Sequence, residues 1–259
     1  MSYPNTIGGF WTDYYISDKY IVETAEHEKS FTERVKKLSR CCWTYDTEGR
    51  TFDFSVTREN AGLPKNAVVL GNFNGSHKMS HLTLTMWMEI LQRTTNTVLY
   101  SMESNHYMTM AMAKLADQYG VDPKRIIPAQ SIQHAKHLGR FAIVDLVLDT
   151  TPCTGHTLSM DSLWGGCPLV TYAGNTPVAR VGASAVRTLG FDNLVASSPM
   201  DYVNKAVELC WNNDLRHELR TQTLDRRMTG GLFDQKSFVT ELDAMYLEIW
   251  DESKKRMGI

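Results

Sequence analysis

Several side chains in this sequence have types and spacings that could meet a phosphorylated ligand. Thr157 and Asp161 are four apart, so on a helix they lie one turn from each other on the same side. A hydroxyl at a helix start and a carboxylate one turn down suit a nucleotide, with phosphate above and ribose hydroxyls below. At that start the N–H groups of Thr157, Leu158 and Ser159 would lack intrahelical partners, and the helix dipole would add partial positive charge. Gly155 would let a ligand come close to the backbone. The same pattern also arises as plain capping, and His156 alone is equally well explained as a local hydrogen-bonder. Lys78 offers an ammonium that could neutralise a departing diphosphate, or be a solvated surface lysine. His137 and Arg140, three apart, could stack on a base and donate to its carbonyl, or form a surface basic pair. Cys153 could be a nucleophile or a small buried thiol.

These residues need elements to hold them. The apolar run Ile143–Leu148 is a strand that stops at the turn residues Asp149-Thr150-Thr151-Pro152 and delivers a loop to the helix at Thr157. Upstream, Gly62-Leu63-Pro64 marks a boundary. Beyond it the pattern alternates: a strand from Ala67 to Leu70 running on to Phe73, a helix carrying Leu84, Trp87, Met88 and Leu91, and a strand over Thr97–Met102. A helix over Tyr107–Tyr119 follows, closed by Gly120, then a strand over Arg125–Pro128, a short helix over His134–Arg140, the strand at 143–148, and a strand over Pro168–Tyr172. Such alternation predicts a parallel sheet with right-handed crossovers, and ligands in such sheets sit beyond the carboxyl ends of the strands. Lys78, His134, His137, His156 and Thr157 all fall in loops or helix starts at that end. Residues 1–62 are less regular, with a short strand over 13–18 and a charged, exposed helix predicted over 23–38. The end of the chain is helical, and the stripe Phe238, Leu242, Met245, Tyr246, Ile249 is expected to pack as core.

The 259 residues are enough for a full core, with 42% hydrophobic and 22% charged residues. A net charge of −2 gives no reason to expect nucleic acid or an anionic membrane as partner. No apolar run approaches the ~20 residues of a membrane span, and no signal-peptide pattern is present. Five cysteines without metal-ligand spacing point to reduced thiols and a cytoplasmic setting.

The run Asp149-Thr150-x-x-Cys153-x-Gly155-His156-Thr157-x-x-x-Asp161-x-Leu163-Trp164-x-Gly166-x-Pro168-x-Val170-Thr171 resembles the signature of the O-GlcNAc transferase family of glycosyltransferases. Phe73-Asn74-x-x-x-Lys78 matches a second family motif, with Gly75 where the family has Gln. His137, Arg140 and Asp145 match a third, whose residues surround uracil. The resemblance is close over about 62–251 and loose over 1–20, where Tyr3-Pro4-Asn5-Thr6-Ile7-Gly8 resembles a family loop with Asn5 in place of Gly. It implies that Lys78 is catalytic and donor-binding, stabilising the leaving diphosphate. It also implies that Ile132 offers its backbone to the uracil edge and that His134 stands near the ribose. His137 and Arg140 would contact the base, and Cys153 would wall the sugar's N-acetyl group. His156, Thr157 and Leu158 would meet the phosphates, and Asp161 the ribose.

The resulting expectation is an α/β, Rossmann-like parallel sheet, the C-terminal donor-binding domain of a GT-B glycosyltransferase, with a C-terminal helical extension. Residues 1–62 would be a linker and remnant of the preceding domain, and 63–259 the nucleotide-sugar-binding domain. The resemblance implies metal-independent, inverting transfer of GlcNAc from UDP-GlcNAc to Ser or Thr of proteins, with no cofactor beyond the UDP-sugar. The partners would be a protein acceptor and a missing N-terminal domain or chain. A fragment of a longer enzyme and a complete short protein remain alternatives. So do a non-enzymatic UDP-sugar-binding or regulatory module and the donor domain of another GT-B enzyme, such as an epimerase.

Overall fold

The structure, a computed structural model, describes residues 5–103 and 105–258; Tyr3 and Pro4 of the family-like loop lie outside the described residues. The described chain opens with β1 (Tyr14–Asp18), the one-turn helix α1 (Ala25–Glu28) and β2 (Arg34–Leu38). The two strands pair in parallel, with Tyr14 opposite Arg34 and Asp18 opposite Leu38. The helix expected over 23–38 is therefore a single turn followed by a strand. Val35 and Leu38, three apart, fit a helix locally. The backbone of 34–38 instead pairs with β1, and Lys36 is held by Glu248 and Glu252, so tertiary pairing overrides local preference.

The alternating part follows in order: β3 (Val68–Asn72), α2 (His81–Gln92), β4 (Thr97–Met102), α3 (His106–Gln118), β5 (Ile126–Ala129), α4 (His134–Gly139), β6 (Leu146–Leu148), α5 (Thr157–Trp164) and β7 (Leu169–Tyr172). After these come α6 (Val181–Thr188), the two-residue strand β8 (Val195–Ala196), α7 (Pro199–Trp211), α8 (Asn213–Thr229) and α9 (Gln235–Met257). Most of β3, β4, β6 and β7 is buried apolar sequence, as expected of strands covered on both faces. The sheet order is β5-β4-β3-β6-β7-β8, parallel throughout. This is the doubly wound arrangement, in which the order reverses between β3 and β6 and leaves a crevice beyond their carboxyl ends. Gly120 ends α3 with φ 66°, the left-handed stop that glycine allows.

A second, smaller core lies under β1 and β2. Ile21, Val22, Phe31, Leu38, Cys42, Val181 and Met245 form it, with Phe238 and Ile249 packed against it. The α9 stripe is thus core at Met245, Phe238 and Ile249, whereas Tyr246 is exposed. The chain's last helix returns to its first strands: Tyr14 donates to Glu252 Oε2 at 2.9 Å and Arg256 pairs with Asp13 at 3.1 Å. Among the described residues no helix is long and apolar enough to cross a membrane.

Candidate functional site

The crevice between β3 and β6 is built from the loop after each strand. After β6, Asp149 ends the apolar run and is fully buried. Its Oδ1 accepts from the N–H groups of Thr150 (2.9 Å) and Gly155 (2.7 Å), and its Oδ2 from Thr171 (2.8 Å). Its backbone carbonyl accepts from Tyr202, whose hydroxyl accepts in turn from the Trp87 indole. One carboxylate thereby shapes the whole loop that feeds α5. Burial raises its pKa to about 6, against the pull of those donors and of Lys78.

The loop delivers α5 in an unusual way. His156, the residue before it, has φ 47°, a conformation that strains a residue with a side chain. No side chain caps the helix, although α2, α3, α7, α8 and α9 each have a capping side chain. The N–H groups of Thr157 and Ser159 make no hydrogen bond among the described residues. That of Leu158 is not free as the sequence suggested: it donates to Gly155 O at 2.9 Å. A side chain at Gly155 would meet Ser159 Oγ at 2.6 Å. Asn74, Asp149 and Ser159 line a small cavity of about 10 Å³, and Asn74 Oδ1 and Ser159 Oγ are buried without a partner among the described residues.

Lys78, from the loop after β3, reaches across the crevice and donates to Thr154 O at 2.7 Å. Burial, followed by the Lys78 charge, lowers the His156 pKa to about 4. That ring is therefore neutral at pH 7, lying 3.3 Å from Val178 O and against Trp43. Cys153 is half-buried in the same loop, with its carbonyl held by the Thr150 hydroxyl at 2.6 Å.

The second cluster comes from α4 and the turn after it. His137 and Arg140 are buried, not a surface pair. Arg140 donates to His137 Nδ1 at 2.5 Å and to Gln130 O at 3.0 Å, and lies 3.9 Å from the centre of the Phe73 ring. Burial, reinforced by Arg140, drives the His137 pKa down to about 3, leaving a neutral ring whose Nε2 lies 3.8 Å from Asp161 Oδ2. Burial also lowers the Arg140 pKa to about 10. Ile132 lines an adjoining cleft of about 300 Å³ with Tyr100, Gln130 and Lys136.

Asp161 joins the two clusters. It is buried, and burial raises its pKa. Its Oδ1 accepts from the Tyr45 hydroxyl at 2.7 Å and from Arg50 at 3.0 Å. Arg50 also lies 3.0 Å from His134 Nε2 and 4.3 Å from the centre of the Tyr45 ring. Neither Tyr45 nor Arg50 stands in a motif or a periodic stretch of the sequence. Asp145, in contrast, leaves the site. It precedes β6, at the opposite end of the strand from Asp149, and accepts from Arg58 and from Val69 N–H, both at 2.7 Å. The pairing was missed because Arg58 lies in a region without periodicity.

A doubly wound sheet with a lysine and an uncapped helix start facing each other across the β3–β6 crevice has the form of a Rossmann-like nucleotide-binding domain. Solved structures place that fold among the GT-B glycosyltransferases. An O-GlcNAc transferase variant from Thermobaculum terrenum superposes with a TM-score of 0.86 at 23% identity, over 99% of this chain and 48% of that one. The lipopolysaccharide glycosyltransferase WaaG superposes with a TM-score of 0.61 at 17% identity, over 91% and 64%. The model of glycosyl transferase family 41 matches residues 51–242, and the chain belongs to that family. The UDP-N-acetylglucosamine–peptide N-acetylglucosaminyltransferase of Caenorhabditis elegans is 31% identical over 204 residues, which is 79% of this chain and 18% of that protein. The chain spans between 18% and 27% of the length of the curated relatives it matches.

Proposed function

We propose that this chain binds a UDP-sugar, UDP-GlcNAc before others, as the donor half of a protein O-GlcNAc transferase. The observation that carries the reading is Lys78 meeting the loop of an uncapped helix across the β3–β6 crevice. This is a diphosphate site by charge and by free N–H groups. The His137–Arg140 pair and Ile132 would take uracil, and Asp161 with His134 the ribose. Thr157, with His156 and Leu158 beside it, would take the phosphates, and Cys153 the N-acetyl group. Lys78 and the helix start supply positive charge where the leaving UDP gains negative charge, which supports transfer without a metal. The relatives' names describe transfer of N-acetylglucosamine to peptide, which supports a protein acceptor; inversion at the anomeric carbon and a Ser or Thr acceptor rest on the motif resemblance alone. Five unpaired cysteines fit a reducing, cytoplasmic setting.

The fraction of its relatives that this chain spans supports a further domain or chain that completes the acceptor side. Orienting an acceptor hydroxyl can contribute on the order of 7–11 kcal/mol of barrier lowering. We therefore expect the 259 residues alone to bind donor and to transfer little sugar. Calorimetry with UDP, CMP and GDP tests the donor reading: UDP should bind selectively, and equal or absent binding of all three would overturn it. Incubation of radiolabelled UDP-GlcNAc with extract proteins tests the second point, and strong Lys78-dependent labelling by this chain alone would contradict it.

A further inference from the structure

Resting on that reading, we propose that Arg50 is a competitor built into the chain. Its guanidinium fills the space between Asp161 and His134 that the ribose hydroxyls of a nucleoside would take, so that binding of one releases the other.

Arg50 stands between the two side chains assigned to the ribose. One guanidinium nitrogen lies 3.0 Å from Asp161 Oδ1 and 3.0 Å from His134 Nε2. With the Tyr45 hydroxyl also on Oδ1, that oxygen is filled; Oδ2, 3.8 Å from His137 Nε2, can still accept, so the contest is for the space between Asp161 and His134 that the guanidinium occupies. Of the two occupants, Arg50 is the one able to leave. Tyr45 is buried, packs at an angle against Trp164 and edge-on against Phe233, and has its carbonyl held by Gln235 at 2.8 Å. The backbone between 46 and 52 runs over the surface. Its turn closes on itself, Asp46 accepting from the N–H groups of Glu48 and Gly49 at 3.0 Å. The next backbone anchor is Asp53 N–H on Ala135 O at 2.9 Å. The segment is therefore fixed at Tyr45 and at Asp53 and held between them by the Arg50 side chain and by a long contact, 3.5 Å, from Gln235 to the Thr47 hydroxyl. Removing Arg50 from Asp161 requires a side-chain rotation and exposes a guanidinium to water, and no backbone hydrogen bond has to break.

The competition makes the site self-satisfied. Asp161 is buried, and a buried carboxylate without donors is costly. Arg50 adds its charge to the Tyr45 donor until ribose hydroxyls replace it. The apparent affinity for nucleoside is then reduced by the fraction of time Arg50 holds the carboxylate.

The test is calorimetry with uridine on the unaltered chain and on Arg50→Ala and Arg50→Met, the second keeping an apolar stem over Tyr45. Both variants should bind uridine about five- to tenfold more tightly. Limited trypsin digestion reads the release directly: uridine should accelerate cleavage after Arg50. Weaker or unchanged uridine binding in both variants, or protection of Arg50 by uridine, would overturn the proposal and make Arg50 a positioning residue for Asp161. His137→Ala separates this from the site assignment. Uridine binding that depends on His137 but is not tightened by loss of Arg50 removes the competitor alone. If uridine does not bind any of these chains, the nucleoside site and the competitor fall together.

Discussion

The phosphate end and the nucleoside end of the candidate site are built in opposite ways. At the phosphate end the chain leaves groups unpaired: among the described residues the N–H groups of Thr157 and Ser159 have no partner and no side chain caps α5. The frame that keeps them so is buried and continuous, from Trp87 through Tyr202 to Asp149 and Gly155. At the nucleoside end every charged group already has a partner or an aromatic face, supplied across more than 100 residues of sequence by Tyr45 and Arg50. An end that is held open needs a rigid frame. An end that is filled by the chain itself needs only a replaceable side chain. The first should respond to mutation through binding of charge, the second through exchange.

The largest effect should come from Lys78→Ala. Loss of a charge-assisted contact costs about 1.5–3 kcal/mol, so UDP should bind roughly tenfold to a hundredfold more weakly while uridine is unaffected. Equal losses for both ligands in parallel titrations would erase the distinction between the ends.

Next is Gly139→Val. A Cβ at Gly139 would lie 1.9 Å from Asp53 O, so the segment carrying Arg50 must lift from α4. The change should destabilise the protein by about 1–3 kcal/mol in urea denaturation and speed trypsin cleavage after Arg50. Unchanged cleavage would show that the covering segment does not depend on this close approach.

Tyr202→Phe should cost about 1–2 kcal/mol, because the Trp87 N–H and Asp149 O are left buried and unpaired. If the phosphate end relies on its frame, UDP binding should weaken too, with little change for uridine.

The smallest effect is in pH dependence, and it opposes a carboxylate to imidazoles. The Asp149 pKa is raised from 3.8 to about 6 in the fold. The folded state then binds more protons than the unfolded one between those values, and this contribution to stability falls as pH rises from about 4 to 6. His137 and His156 are lowered from 6.5 to about 3 and about 4, so theirs rises across the same window. Asp149→Asn should remove the falling part and make stability climb more steeply with pH between 4 and 6, by on the order of 1 kcal/mol relative to the unaltered chain. Denaturation midpoints measured at three pH values decide this, and parallel curves for the two proteins would contradict it.

Much of the phosphate end was readable because it is local. The apolar strand, Asp149, Gly155, Thr157 and Asp161 lie within one short stretch, and the rule that ligands sit beyond strand ends placed Lys78 opposite them. Asp149 was recognised only as turn chemistry, although a carboxylate directly after a buried strand is itself a signal of a hub. The nucleoside end was half readable. His137 and Arg140 carried a spacing, whereas Tyr45 and Arg50 sit in a stretch with no period, and nothing local joins them to Asp161. The same reason explains the strand at 34–38, whose partner is remote. The two-residue β8 and α6 escaped because the sequence after Tyr172 lacks a long apolar run.

The return of α9 to β1 and β2 has a consequence for synthesis. Asp13 and Tyr14 touch Arg256 and Glu252, so the earliest made part of the described chain waits for almost the last. The large sheet can assemble from neighbours in sequence as the chain emerges, whereas the small core closes only after α9 leaves the ribosome. A nascent chain stalled before residue 235 would carry a folded sheet beside an unfinished edge of two parallel strands. Until α9 packs, that edge is a surface open to a chaperone or to a partner strand.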